Sequence, residues 1–277
     1  MAILVTGATG LVGRLLVEEL IGRGADVRAA TRRPETAGLP EGVTLGGGFE
    51  GVDAVFLHPR AVGDYDEFLA EARWHGVRKV VALSAMNVDD PLEEQPSRQA
   101  GDRNKEAEAA AVASGLSWTS LRASTFASNT ARAFGPQVRG GDVVRYVYAT
   151  FEEAPIDERD LAAVAARALT GDEQDGRRLE LTGPQSLSHE AMVSIIGTVL
   201  GRPLRFEEIP PAAAIEGMTA AGMPRGFVTA LMERYARHQD KPQHPTTGVV
   251  ATVLGRPAST YAQWVAANAE AFRRAGE

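Results

Sequence analysis

The segment Val5-Thr6-Gly7-Ala8-Thr9-Gly10-Leu11-Val12-Gly13 follows the apolar run Ala2-Ile3-Leu4 and opens an amphipathic stretch that extends to Gly24. This order predicts a strand, a glycine-rich turn and a helix, which is the first unit of a dinucleotide-binding sheet. The first glycine permits a sharp turn, the second lets a pyrophosphate approach the backbone, and the third lets the helix pack on the strand. The free N–H groups and the dipole at the helix start favour phosphate. We therefore predict contacts to a bound dinucleotide from Thr6, Gly7, Thr9, Gly10, Leu11, Val12 and Gly13.

The alternative is a glycine turn in an α/β protein that binds no nucleotide. The regular spacing of three glycines directly after a strand argues against that alternative.

Composition limits the classes of partner. The chain has 277 residues, 44% of them apolar, a formal net charge of −7 and no cysteine. The negative charge and the lack of a long basic run argue against nucleic acid or an anionic membrane as the main partner. Without cysteine there is no disulfide, thiolate metal site or cysteine nucleophile, and no spacing typical of metal ligands is found. No apolar run is long enough to span a membrane, and the start of the chain has no signal-peptide pattern. We therefore expect a cytoplasmic protein without a metal.

The end of the second predicted strand, Ala25 to Thr31, bears on the choice of cofactor. NAD-binding sheets usually place a carboxylate about 20 residues beyond the glycines. Here the sequence reads Thr31-Arg32-Arg33-Pro34. Because one guanidinium group can donate two parallel hydrogen bonds to phosphate oxygens, this turn favours NADPH, with Arg32 as the main contact to the 2′-phosphate. A solvated basic turn is the alternative.

Further strands are predicted at 43–45, 52–57, 77–84 and 116–122, with helices at 64–76 and 98–114. The connection 46–51 is too short for an ordinary crossover helix. His58 and Pro59 follow one strand and Ser84 ends another, so all three are predicted to line the nicotinamide pocket at the carboxyl ends of the strands. The alternatives are that His58 is an ordinary hydrogen-bonded side chain and that the Ser84 hydroxyl ends its strand, neither with a catalytic role.

The carboxyl-terminal half alternates short strands and helices. Asp157 or Glu158 is the expected cap of one helix and Ser188 of another, and His189 is expected to be exposed and inert. Tyr261, Trp264 and Phe272 are expected in the core. The substrate pocket is expected to involve residues 85–97 and parts of 210–245, together with Phe126, Asn129, Tyr146 and Tyr148.

Several motifs in order carry a resemblance to a family: Thr6 to Gly13, Ser114-Gly115-Leu116-Ser117-Trp118, Pro155-Ile156-Asp157-Glu158-Arg159-Asp160, Leu179 to Pro184, and Leu254-Gly255-Arg256-Pro257. Over essentially its whole length the chain resembles the NmrA-like group of atypical short-chain dehydrogenase/reductases. That group includes NADPH-dependent quinone oxidoreductases and triphenylmethane reductases. The resemblance implies an α/β extended Rossmann fold, with a doubly wound, mostly parallel sheet and a smaller carboxyl-terminal substrate lobe. We predict a cofactor lobe of residues 1–135 plus 155–182 and a substrate lobe of 136–154 plus 183–277.

The chain departs from the wider superfamily at its catalytic residues. Many members use a serine together with a tyrosine and a lysine four residues apart on one helix, where the tyrosine donates a proton. The tyrosine position here falls on Ala100 or Gly101. The lysine position falls on Asn104, with Lys105 next to it. Ser84 matches the serine. We therefore predict Ser84, His58, Asn104 and Lys105 as the catalytic side chains, without the usual proton donor.

Three functions remain open on the sequence alone. The first is NADPH-dependent hydride transfer to a quinone-like or conjugated carbonyl acceptor, which can take its proton from water. The second is a non-catalytic sensor of NADP(H) that regulates a protein partner, and the third is a biosynthetic isomerase or cyclase. A flat, apolar small molecule is the expected substrate, and the chain is expected to be a monomer or a homodimer.

Overall fold

The computed structural model describes residues 1–31, 38–239 and 245–274. Its strands are β1 Ala2–Thr6, β2 Asp26–Ala30, β3 Thr44–Leu45, β4 Ala54–Leu57, β5 Lys79–Ala85, β6 Ser117–Ala123, β7 Val143–Tyr146, β8 Glu152–Glu153, β9 Arg177–Leu181, β10 Leu187–Ser188 and β11 Arg205–Glu208. Its helices are α1 Leu11–Gly22, α2 Tyr65–Trp74, α3 Pro96–Gln99, α4 Asn104–Ala113, α5 Ser128–Gly140, α6 Glu158–Thr170, α7 His189–Leu200, α8 Pro211–Ala220, α9 Arg225–His238, α10 Val249–Leu254 and α11 Tyr261–Ala267.

A seven-stranded parallel sheet forms the centre of the molecule, in the order β3-β2-β1-β4-β5-β6-β9. Ile3 on β1 pairs with Val27 on one side and with Ala54 on the other. The chain order therefore reverses at β1, and open sheets of this kind bind ligands in the crevice beyond the carboxyl ends of the strands at that reversal. The predicted Rossmann-like fold class is confirmed.

The side chains of β1 show which helices cover each face of the sheet, because successive side chains of a strand point to opposite faces. Ile3 and Val5 belong to a buried cluster with α1, α6 and α10. Leu4 belongs to another cluster with α2 and α4. Strand β4 is buried at every position, as expected for a parallel strand that is covered on both faces.

A further apolar cluster lies in the carboxyl-terminal half and contains Phe134 of α5, Met192 of α7, Met232 of α9 and Trp264 of α11. Tyr261, Trp264 and Phe272 are all buried, so their predicted place in the core is confirmed. Helix α5 packs in this cluster, whereas α10 packs against the sheet. The predicted division into 1–135 plus 155–182 and 136–154 plus 183–277 stays a prediction.

Two predicted helix caps are confirmed. The carboxylate of Asp157 accepts the N–H of Arg159 at 2.9 Å at the start of α6. The hydroxyl of Ser188 accepts the N–H of Ala191 at 3.1 Å at the start of α7. Each cap satisfies a donor that the first helical turn leaves without an intrahelical partner.

The helix predicted over 98–114 is wrong as a continuous element. The short helix α3 ends at Gln99, and α4 begins only at Asn104. Gly101, between them, has a φ of 99°, a backbone conformation that a helix does not accommodate. The connection from β3 to β4 contains no helix, in agreement with its short length. Within the described ranges, no helix has both the length and the apolar character needed to cross a membrane.

Candidate cofactor and substrate site

The glycine turn forms a tight backbone cradle between β1 and α1. Gly7 has a φ of 66°, and a Cβ at that position would lie 2.9 Å from Cγ of His58. A Cβ at Gly13 would lie 2.2 Å from the carbonyl oxygen of Gly7. The N–H of Gly10 donates to the same Gly7 oxygen at 2.9 Å, which closes the turn. Glycine at these positions therefore lets α1 approach the end of β1 as closely as a dinucleotide site requires.

The start of α1 is suited to an anion. No side chain caps the helix, its first turn carries no acidic residue, and Thr9, Gly10 and Leu11 are exposed. The N–H groups of a first turn have no acceptor within the helix. This cradle fits the pyrophosphate of NAD(P)H, and the residues that would hold it are the predicted ones from Gly7 to Gly13.

Thr6 connects the cradle to the end of β4. Its hydroxyl donates to the carbonyl oxygen of Phe56 at 2.8 Å and accepts the N–H of His58 at 2.8 Å. The side chain is buried, with 2% of its surface exposed. Thr6 therefore holds His58 next to the glycine turn, with its hydroxyl already engaged within the protein.

His58 and Pro59 lie beside the cradle at the carboxyl end of β4. The Nδ1 atom of His58 accepts the N–H of Arg60 at 3.1 Å, so the neutral ring carries its hydrogen on Nε2. Burial lowers the pKa of His58, which favours this neutral form at pH 7. The carbonyl oxygen of Pro59 accepts the hydroxyl of Tyr65 at 2.6 Å. His58 is therefore a neutral hydrogen-bond donor that lines the cavity described below.

The predicted contacts at the cofactor ribose lie at the end of β2. Thr31 follows directly after Ala30, the residue that pairs with Thr6 across β1 and β2. Arg32 and Arg33 lie outside the described residues.

Ser84, on β5, faces a buried carboxylate on α4. Its hydroxyl donates to Oε2 of Glu108 at 2.8 Å. Glu108 also accepts hydrogen bonds from Ser120, from Arg122 at 2.7 Å and from Arg178 at 2.7 Å. Burial alone would raise the pKa of Glu108, but the hydrogen bonds from Arg122, Ser120, Arg178 and Ser84 lower it to about 2. In this arrangement the hydroxyl hydrogen of Ser84 is bound to Glu108 rather than offered to a substrate.

The structure separates Asn104 from Lys105. Asn104 begins α4, is buried and lines the same cavity as His58 and Ser84. Lys105 lines a separate surface depression beside Glu108, Asp89 and Arg122. Ala100 follows the end of α3 and Asn104 begins α4, so these two residues, four apart, do not share a helix because of the break at Gly101.

A cavity of about 510 Å³ extends from the cradle into the carboxyl-terminal half. One side is formed by residues at the carboxyl ends of β4, β5 and β6, including His58, Ala85, Met86 and Thr125. Its opposite wall is formed mainly by α9 and the turn before it, through Met223, Pro224, Phe227, Leu231, Arg234 and Tyr235. A site with one polar end and one apolar wall is typical of small-molecule pockets.

The predicted substrate-pocket residues are partly brought together here. Phe126, Asn129, and Asn87 and Pro96 of the 85–97 segment line the cavity. Tyr146 is buried in the apolar cluster instead, and Tyr148 does not contribute to the lining. Tyr235 lines the cavity as part of the predicted 210–245 region, whereas Glu153 and Arg132 line it although the sequence did not mark them.

The prediction that His189 is exposed is wrong. Its side chain is 2% exposed and is surrounded by the rings of Tyr146, Phe151 and Tyr235, whose centroids lie 5.0, 5.2 and 5.0 Å from the imidazole centroid. The first turn of α7 is covered by α9, and this packing overrides the usual exposure of a first-turn residue.

Comparison with known proteins gives the family. The chain matches the family model described as NAD(P)H-binding over residues 7–172. It is 37% identical to (4-alkanoyl-5-oxo-2,5-dihydrofuran-3-yl)methyl phosphate reductase of Streptomyces griseus, over 98% of this chain and 99% of the relative. It is 31% identical to NAD(P)H azoreductase of Xenophilus azovorans, over 98% of this chain and 99% of that protein.

Solved structures share the fold. An NADPH-dependent quinone oxidoreductase of Escherichia coli, complexed with NADPH, superimposes with a TM-score of 0.80 at 20% identity, covering 97% of this chain and 99% of that one. Triphenylmethane reductase of Citrobacter, complexed with NADP(H), gives a TM-score of 0.75 at 17% identity, over 95% of this chain and 99% of that one. With the glycine cradle and the matched relatives, these findings confirm that the chain belongs to the NAD(P)H-binding family of atypical short-chain dehydrogenase/reductases of the NmrA-like type.

Proposed function

We propose that this chain, an NAD(P)H-dependent reductase, uses NADPH to transfer hydride to a flat acceptor with a conjugated carbonyl or quinone-like system. The proposal rests mainly on one observation: the cofactor cradle and an apolar wall border the same continuous cavity. An acceptor seated against Phe227 and Leu231 would lie over the carboxyl ends of β4 to β6, where the reactive end of a bound dinucleotide belongs.

Two relatives support the acceptor class by their names. The Streptomyces griseus protein is named as the reductase of a (4-alkanoyl-5-oxo-2,5-dihydrofuran-3-yl)methyl phosphate, whose ring double bond is conjugated with carbonyl groups. The Xenophilus azovorans protein is named for reduction of azo compounds, which also contain a conjugated double bond.

In the proposed reaction the cofactor and the chain have separate roles. A bound NADPH supplies the hydride, and the chain supplies binding and orientation. Gly7 to Gly13 would hold the pyrophosphate, while Thr31, Arg32 and Arg33 would hold the ribose and its 2′-phosphate. His58 offers its Nε2–H as a donor, and Asn104 has an amide in the same cavity. Met86, Phe126 and Leu231 exclude water from the acceptor.

Turnover with a panel of acceptors tests the proposal. Purified protein is mixed with NADPH and with substituted benzoquinones, naphthoquinones or α,β-unsaturated ketones, and loss of the absorbance of the reduced nicotinamide is followed. We expect acceptor-dependent oxidation with at least one conjugated class and little with isolated ketones. Inactivity across the whole panel, with tight NADPH binding, would contradict the proposal.

Tight NADPH binding without turnover would instead support the alternative that the chain is a non-catalytic sensor of NADP(H). The feature that favours a sensor is the missing tyrosine–lysine pair, since Ala100 cannot donate a proton and lies outside α4, the helix that begins at Asn104. Capture of a protein partner that depends on the redox state of the cofactor would then support it.

The two arginines that follow Thr31 in the sequence give a prediction about cofactor preference. We expect Arg32→Ala to weaken NADPH binding by about tenfold to a hundredfold, because a charged hydrogen bond contributes roughly 1.5–3 kcal/mol. NADH binding should change little, since NADH lacks the 2′-phosphate. Calorimetric titration of the wild type and of Arg32→Ala with NADPH and with NADH measures these changes. Arg28→Ala is the control, because it also removes an arginine from this part of the chain but one that donates to the carbonyl oxygens of Gly48 and Glu50. Equal losses for the two cofactors would contradict the assignment.

A further inference from the structure

A histidine–glutamate pair borders the cavity, with the carboxylate on its lining. Glu153 is on β8, and 16% of its side chain is exposed where it lines the cavity. His189 is behind it at the start of α7, with Nε2 3.5 Å from Oε1 of Glu153. Neither residue is needed for the cofactor cradle, and no sequence motif marked either of them.

The contacts of His189 bear on its protonation. Its Nδ1 atom lies 2.9 Å from the carbonyl oxygen of Val147, and its Nε2 atom faces the Glu153 carboxylate. Both neighbours are hydrogen-bond acceptors, and a neutral imidazole has only one N–H. Either neutral tautomer therefore leaves a lone pair against an oxygen. One additional proton, shared between the imidazole and the carboxylate, satisfies both contacts.

The surroundings keep this proton from bulk water. Tyr146, Phe151 and Tyr235 enclose the imidazole, and Tyr235 also lines the cavity. The phenols of Tyr146, Tyr235 and Tyr261 interact electrostatically with Glu153. The guanidinium groups of Arg132 and Arg234 line the same cavity, and Arg234 is bound to Asp90 at 2.7 Å. The open side of the pair is the Glu153 carboxylate, which faces the substrate space.

We propose that Glu153 is the proton donor for the reduced substrate and that His189 is the positioning residue that supplies and restores its proton. This inference rests on the proposed reductase function. A bound NADPH would supply the hydride for the new C–H bond and be oxidised to NADP⁺, and the electron pair displaced from the conjugated system would move to the carbonyl oxygen. In the resting protein the proton is held on Nε2 of His189 beside the Glu153 carboxylate. Glu153 accepts this proton and passes it to the oxygen, where the O–H bond forms, and His189 is left neutral. Water in the cavity then returns a proton through Glu153, which lines the cavity, to the enclosed His189.

The chain offers a matched control on the same strand. Glu152 precedes Glu153, accepts the hydroxyl of Ser186 at 2.9 Å and does not line the cavity. Glu153→Gln and Glu152→Gln are both isosteric and both remove one charge from β8. Thermal unfolding of the two variants establishes that each is folded.

The first readout uses the free protein without cofactor or substrate. Nitrogen NMR of histidine-labelled protein at a fixed, near-neutral pH reports which ring nitrogens carry hydrogen, with the His189 signals assigned by their loss in His189→Asn. We expect both nitrogens of His189 to be protonated in the wild type and in Glu152→Gln, and Nε2 to lose its proton in Glu153→Gln. A singly protonated His189 in the wild type, or no change in Glu153→Gln, would overturn the proposal.

The second readout is steady-state kinetics with a benzoquinone that the wild type reduces. Loss of a general acid costs about 10²-fold or more in rate. We expect Glu153→Gln to lower kcat by about that factor with KM changed less than about threefold, because the proton is needed only in the transition state. Glu152→Gln should keep both constants. A change confined to KM would mean that Glu153 only binds substrate. A wild type inactive with every acceptor would contradict the proposed function, while the NMR result would still decide whether the pair shares a proton.

Discussion

Gly13→Ala is expected to lower the free energy of unfolding by roughly 3 kcal/mol, at the upper end of the cost of overpacking a tight core. The added methyl would lie 2.2 Å from the oxygen and 2.8 Å from the carbon of the Gly7 carbonyl, and 2.9 Å from Cα of Ala8. All three are backbone atoms, so no side chain can turn away to relieve the contact. Helix α1 must then move off the end of β1.

The same displacement should weaken binding of NAD(P)H at least about tenfold, which corresponds to about 1.4 kcal/mol. Urea unfolding measures the first effect and calorimetric titration the second. Gly22→Ala is the matched control, because it lies on the same helix and a Cβ there meets nothing within 4 Å. The control should be neutral or stabilising by up to about 1 kcal/mol, since alanine favours a helix over glycine. Similar behaviour of the two variants would show that α1 is not held against the turn as described.

Glu108→Gln is expected to destabilise the protein by about 3 kcal/mol at neutral pH. The substitution leaves Arg178 and Arg122 without their buried carboxylate, and removing one partner of a buried ion pair typically costs about 3–5 kcal/mol. Arg122 keeps its second partner, Asp89, which places the expected loss at the lower end of that range.

The pH dependence of this loss has a defined sign. The folded-state pKa of Glu108 is about 2, below the ordinary value of 4.5, so the charged form stabilises the folded chain. That stabilisation is fully present above pH 4.5 and is lost as the pH falls toward 2. The difference in stability between wild type and Glu108→Gln should therefore shrink over that interval in urea unfolding.

Glu106→Gln provides the control on the same helix. Glu106 pairs with Arg98 at 2.6 Å, but 39% of its side chain is exposed. Exposed ion pairs contribute about 0–1 kcal/mol, so this variant should lose no more than that. Equal losses in the two variants would mean that the Glu108 cluster does not stabilise the fold.

The parts of the site that could be predicted from the sequence are those that the local chain determines. The spacing of Gly7, Gly10 and Gly13 specifies the turn, and the carboxyl ends of parallel strands necessarily meet at one edge, which brought His58 and Ser84 near the turn. The fold class followed from the same alternation of strands and helices.

The parts that could not be predicted depend on contacts between distant segments. Glu153 and His189 come together only because α7 begins beside β8, and Tyr235 reaches them from α9. Helix α5 was not predicted because it contains Gly135 and Pro136, which disfavour a helix. The fold needs glycine at position 135, because a Cβ there would lie only 2.8 Å from the carbonyl oxygen of Ala271. In contrast, Gly101 was visible within the 98–114 pattern and was the signal that the helix is broken there.

The break between α3 and α4 has a consequence for attempts to build the tyrosine–lysine pair of the wider superfamily into this chain. Placing tyrosine at Ala100 and lysine at Asn104 would reproduce the familiar motif on paper, with its four-residue interval. On this backbone the first side chain would follow the end of α3 and the second would begin α4, on either side of the left-handed Gly101, rather than project from one face of a single helix. Recovering a tyrosine–lysine enzyme from this chain would therefore require the segment from Pro96 to Asn104 to be refolded as a unit, and point mutation alone would not accomplish it.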